Sequence, residues 1–220
     1  MTGATLTIIS RNYGSWSLRG WLLCRLAGLE VGVDQLPPDD ESGRAELLQL
    51  SPSLRVPRLE HDGVAVWGTM AFAEYLNELR PDAGLLPAGV AERAHCRSVC
   101  DEMHAGFANL RSALPMNLKA RHPGFKVFTG AQPDIDRILA IWGECLAAYG
   151  GPYLFGARPT AADAMYAPVC TRFETYDVRL DPRERRYCRA MLALEPMQEW
   201  IAAAREEPAE VDELELEMEF

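Results

Sequence analysis

Several absences narrow this sequence before anything else does. No stretch of its 220 residues approaches the ~20 consecutive apolar residues of a membrane-spanning helix, and its first residues do not run from basic to apolar as a secretory leader does. A cytoplasmic protein is the expectation. The cysteines (24, 96, 100, 145, 170 and 188) form no CxxC pair and no metal-ligand spacing. Reduced, buried thiols are therefore expected, with no metal. Basic clusters are missing as well: Lys and Arg total 22 against 32 Asp and Glu, a net charge of −10, which argues against nucleic acid as a partner. The acidity is uneven. Eight of the acids fall within residues 206–220 with no base among them, leaving about −2 on the remainder. Such a tail repels itself and has little apolar surface to bury, so it reads as disordered beyond about Pro208 and as dispensable for folding.

What remains is an ordinary globular composition, 48% apolar and 25% charged, long enough for one large domain or two small ones. Residues 5–10 form a β-prone run, followed by a turn over residues 11–15 in which Ser15 or Ser17 could cap a helix. Residues 16–29 carry apolar side chains at helical spacing, closed by Gly28. A strand over 31–36 ends at Pro37-Pro38, and residues 41–50 carry a modest helical pattern. A hairpin turning at His61-Asp62-Gly63 and a helix over 69–79 complete the order β-α-β-α-β-β-α within residues 1–80. A linker with Pro81 and Pro87 follows. Residues 88–205 show helical patterns alone: one long helix over 90–114, another over 134–149, a third begun by Thr160 and Asp163 as a capping box, then 183–194 and 196–204. The expected fold class is α/β plus all-α, in two packed parts.

Residues 53–59 (SLRVPRL) are the local focus of the first part. A proline at a strand entry removes one ladder donor, and X-Pro bonds are the ones where the cis isomer costs little. Pro57 is expected in cis, shaping a turn that leaves the backbone of Val56 open to an extended peptide.

Several pieces together carry a family resemblance: Asn12-Tyr13-Gly14-Ser15-Trp16-Ser17-Leu18-Arg19 after the first strand, Val56-Pro57 before the third, Glu74-Tyr75-Leu76 in the third helix, and residues 158–168 (RPTAADAMYAP) opening the core helix of the second part. In that order they resemble a cytosolic glutathione S-transferase, with a thioredoxin-like N-terminal domain packed on an all-helical C-terminal domain. The Ser-Trp-Ser-Leu-Arg run is similar to the serine motif of zeta-type and related bacterial members. The resemblance implies glutathione as thiol cosubstrate, a small electrophilic substrate and a homodimer. One zeta-like possibility is isomerisation of a cis-olefinic diacid by reversible thiol addition. It also implies roles: Ser15, Ser17 or Tyr13 at the thiol, and Arg55, Val56, Pro57, Gly68 and Thr69 along glutathione. Met103, His104, Phe107 and Arg111 would line the acceptor site between the two parts, over the start of the first helix.

The chemistry of the residues agrees. A thiol is a weak nucleophile until it ionises, and a helix N-terminus favours an anion. A hydroxyl there donates to a thiolate and lowers its pKa. Arg19 could serve the site or pair with a structural carboxylate, and Asp163 reads as a structural cap. There is one departure from the family pattern. Gly68-Thr69 stands where an acidic residue followed by serine is usual, so no carboxylate meets the γ-glutamyl ammonium, at a cost of about 1.5–3 kcal/mol. A non-catalytic binding or regulatory member with a degenerate site is the rival reading, and an accessory protein docking through the tail is another.

Overall fold

In the first part a four-stranded sheet has the order β2-β1-β3-β4. The computed structural model describes residues 3–36 and 56–208; the helical pattern at 41–50 and Arg55 lie outside them. Strand β1 (Ala4–Ile8) runs parallel to β2 (Val31–Gln35) and antiparallel to β3 (Arg58–His61), which pairs with β4 (Val64–Trp67) as a hairpin. The central place of β1 follows from its residues: Leu6 and Ile8 are β-prone and fully buried. Among the described residues β4 is paired on one side only, and Val64 and Trp67 are exposed.

Helices α1 (Ser15–Leu26) and α2 (Thr69–Leu79) pack on each other, and α1 also packs on α6 (Ala161–Thr175) of the second part. α6 is the hydrophobic centre of that part. Its run AADAMYAPVCTRF is buried on every side, so neighbours must surround it: α1, α3 (Val90–Ala105) and α7 (Pro182–Leu192) do so. Its start is the expected capping box. The Thr160 N–H donates to Asp163 at 2.8 Å, while the Leu154 N–H reaches the other carboxylate oxygen at 3.0 Å. Helices α5 (Gln132–Tyr149) and α8 (Glu195–Glu206) complete the bundle. All six cysteines are free and buried, as expected.

Two expectations need correction. The pattern over 90–114 is not one helix: α3 stops at Ala105, Gly106 is extended, Phe107 is left-handed (φ 65°), and α4 (Ala108–Ala113) starts anew. The apolar period continues across the break because Met103, Phe107 and Leu110 all enter the same core, so periodicity alone does not register it. Nor does the folded body end before residue 206, since α8 runs to Glu206 and Glu207 is tied to the first part by hydrogen bonds.

Candidate active site at the first turn of helix α1

The loop from β1 into α1 is tight. A Cβ on Gly14 would lie 2.2 Å from the Ser10 carbonyl oxygen, so glycine alone fits. The Ser10 hydroxyl accepts the N–H groups of Asn12 (3.1 Å) and Tyr13 (3.2 Å). Gly14 itself is the N-cap of α1, with no side-chain cap bond, so neither Ser15 nor Ser17 caps the helix. Ser15 is instead the first helical residue, 2% exposed, and its Oγ accepts from Arg19 Nη1 at 3.3 Å. Accepting there leaves the serine O–H free to donate. Ser17, also buried, lies beneath the turn against Gly14, and Tyr13 is half-buried beside it.

Arg19 is fully buried, where a guanidinium is held by several partners at once. Nε donates to the Met165 carbonyl at 2.9 Å, Nη2 to Met103 Sδ at 3.3 Å, and the group stacks 4.3 Å from the Trp16 ring centroid. A helix N-terminus and a buried cation thus converge on the Ser15 hydroxyl. An anion beside it would be stabilised by both.

The Val56-Pro57 bond is cis, as expected. Pro57 is buried against α1: a Cβ on Gly20 would meet Pro57 Cγ at 2.7 Å, so Gly20 lets helix and turn touch. Gly68 precedes α2 at φ 83° and ψ 125°, a backbone that costs an L-residue strain. It also caps α2, with the Phe72 N–H on its carbonyl at 3.0 Å. Thr69 does not cap the helix. Its hydroxyl, 1% exposed, has no hydrogen-bond partner among the described residues.

In the helical half, Met103 and Phe107 both belong to the core. His104 is exposed and stands edge-on to Trp16 at 5.1 Å, which brings it to the first turn of α1. Arg111 is half-buried and donates to the Met103 carbonyl at 3.5 Å. Burial pushes the Cys24 and Cys145 thiols up to about 12, and Cys100 and Cys170 are raised well above the usual range, so none of these ionises at neutral pH. Cys96 is held down by a hydrogen bond with Cys100, yet sits fully buried in the core. A reactive thiol at Ser15 would have to arrive with a ligand. Among the described residues, no group of three or more His, Cys, Asp or Glu could hold a metal ion, and no helix is long and apolar enough to cross a membrane.

Sequence reasoning overlooked three residues that hold this loop. The Asn12 side chain donates to Asn117 Oδ1 at 3.1 Å and accepts the Lys119 N–H at 3.1 Å, while Glu207 takes the N–H groups of Arg11 and Asn12. No local pattern could signal them, because their partners are 105 to 196 positions away.

Family models settle the broader relationship. The model described as glutathione S-transferase, N-terminal domain, matches residues 13–79, and the one described as glutathione S-transferase, C-terminal domain, matches residues 101–203. The chain belongs to the glutathione S-transferase family. Among curated members, it is similar to the maleylacetoacetate isomerase of Rhizobium meliloti (31% identical over 172 residues, 72% of this chain and 75% of that one). It is also similar to the maleylacetoacetate isomerase of Rattus norvegicus (27% over 193 residues, 86% and 87%). Among solved structures, a glutathione transferase homolog from Burkholderia with bound glutathione superposes with a TM-score of 0.69 at 22% identity, over 94% of this chain and 100% of that one. That likeness bears on the fold: a thioredoxin-like domain and a helical domain arranged as in glutathione S-transferases.

Proposed function

We propose that the chain is a glutathione-dependent isomerase of a cis-olefinic diacid of the maleylacetoacetate type, with Ser15 as the thiol-activating residue. The observation that carries the role of Ser15 is its hydroxyl, with the oxygen accepting from buried Arg19 and its hydrogen free to donate. The substrate class is supported by the shared name of curated relatives from rat, nematode and Rhizobium. Those relatives favour an enzyme over a non-catalytic member.

Glutathione fits the residues present. The orphaned Thr69 hydroxyl can reach a ligand carboxylate at the start of α2, and the Ser15 O–H can donate to the sulfur. Val56, beside the cis proline, presents backbone for the cysteinyl part. Gly68 supplies no carboxylate for the ammonium, so affinity falls about ten- to a hundredfold below that of members having one. When bound, glutathione supplies a thiolate that adds to the conjugated double bond and leaves after rotation, so it is regenerated.

The protein's part is to keep that sulfur ionised and the diacid oriented. Ser15 donates to the anion, and the Arg19 charge and the helix N-terminus lower its energy. His104, edge-on to Trp16, faces the acceptor side, and Arg111 can exchange its long bond to Met103 for a substrate carboxylate. Of the remaining sequence candidates, Ser17 lies against Gly14 and Met103 accepts from Arg19, Tyr13 is in the loop itself, and Phe107 belongs to the core. Incubating the chain with maleylacetoacetate should show isomerisation that depends on glutathione; absence of turnover at millimolar glutathione would refute the proposal.

A homodimer is part of the same reading. Trp67, 46% exposed in β4, offers an apolar contact for the helical half of a second copy.

A further inference from the structure

The segment after α8 does not trail away from the fold. Glu207 folds back onto the β1–α1 loop, and its carboxylate accepts from four donors. Oε2 takes the Ser10 hydroxyl at 2.9 Å and the Asn12 N–H at 3.0 Å. Oε1 takes the Arg11 N–H at 2.6 Å and Gln35 Nε2 at 2.7 Å. The backbone around it is tied as well: Lys119 Nζ donates to the Glu207 and Pro208 carbonyls, and Trp200 Nε1 on α8 donates to the Arg11 carbonyl at 2.9 Å. Charge-assisted bonds from backbone N–H groups are short and directional, so the carboxylate sets the path of residues 10–12.

That path leads straight to the thiol site. Gly14 is in van der Waals contact with the Ser10 carbonyl, with no room for a Cβ, and Ser15 is the next residue. A shift at Ser10 is therefore passed to the first turn of α1. We infer that Glu207 is a positioning residue for thiol activation: it fixes the β1–α1 loop and thereby the angle at which Ser15 meets the sulfur. The inference rests on the proposed role of Ser15.

The test is the pKa of bound glutathione, read from thiolate ultraviolet absorbance, together with the pH–rate profile, in the full chain and its variants. Glu207→Gln keeps the side chain's shape, but its amide presents N–H groups to donors. It should raise the thiol pKa by about one unit and lower kcat at neutral pH about tenfold, with much of the rate returning at higher pH and KM for glutathione little changed. Glu207→Asp keeps the charge one methylene short and should fall between; it also carries the test should Glu207→Gln fail to fold. Removal of residues 209–220, which spares Glu207, should leave pKa and rate as in the full chain. A Glu207→Gln protein with a lower melting temperature but unchanged thiol pKa and pH–rate profile would make the tie purely structural and overturn the inference. An ordinary thiol pKa already in the unaltered chain would overturn the role of Ser15, and this inference with it.

Discussion

Ser15 sits where three influences on an anion meet: its own hydroxyl, the free N–H groups of a helix start and a buried guanidinium 3.3 Å away. Replacing it by alanine removes one charge-assisted hydrogen bond, worth about 1.5–3 kcal/mol, and should raise the bound thiol's pKa by about one to two units. Turnover at neutral pH should fall about ten- to a hundredfold and return in part near pH 9. A Ser15→Ala enzyme with unchanged thiol pKa and rate would move the role to Tyr13 or Ser17. At Gly68 the backbone limits what a side chain can repair. With φ at 83°, a glutamate there would face open space but carry strain of about 1–3 kcal/mol, which lowers the stability of the free and the bound protein alike. Titration calorimetry should therefore show Gly68→Glu tightening glutathione by about tenfold or more, with a lower melting temperature.

Among the elements, α6 depends on one buried carboxyl. Asp163 accepts three donors in its capping box, which lower its pKa, but burial dominates and raises it to about 6. The sign follows. The folded state holds this proton more tightly than the unfolded chain, whose Asp titrates near 3.9, so the group's contribution is fully present below about pH 4 and is lost as pH rises through about 6. Urea unfolding at several pH values should show that loss in the natural chain and not in Asp163→Asn. The variant should also be about 1–3 kcal/mol less stable near pH 4, because its amide cannot accept all three donors. A parallel pH dependence in both proteins would assign the slope to other groups. The α3–α4 break is a second feature at this scale. It ends α3 just after His104, so His104 lies beside Trp16 while Arg111 starts from a new axis.

For the molecule as a whole, the tail expectation changes most. Removal of residues 206–220 takes Glu207 with it and should lower the melting temperature by more than about 4 °C, whereas removal of 209–220 should leave it nearly unchanged. Equal melting temperatures for the two would show that the Glu207 contacts contribute nothing. Assembly belongs to this scale as well. Light scattering at micromolar concentration should give about twice the 24.5 kDa of one chain, and a mass of one chain would contradict the homodimer.

Much of this protein is decided locally. Alternation at Leu6 and Ile8, the hairpin turn at Asp62-Gly63, the capping box of Thr160 and Asp163 and the proline before β3 each act within a few residues, so the sequence by itself determines most of the strands and helices and the place of Ser15 at the start of α1. The break at Gly106 escaped that reading because the apolar period runs through it. What surrounds Ser15 was decided only by the tertiary structure. Arg19 reaches Ser15 within one helical turn, but its burial comes from Met103 and Met165, 84 and 146 positions away. Glu207 reads in sequence as one more acid in a charged tail. It becomes a strut because folding brings the N–H groups of Arg11 and Asn12 within 3.0 Å of its carboxylate, and donors in such a loop take an acceptor wherever in the chain it lies.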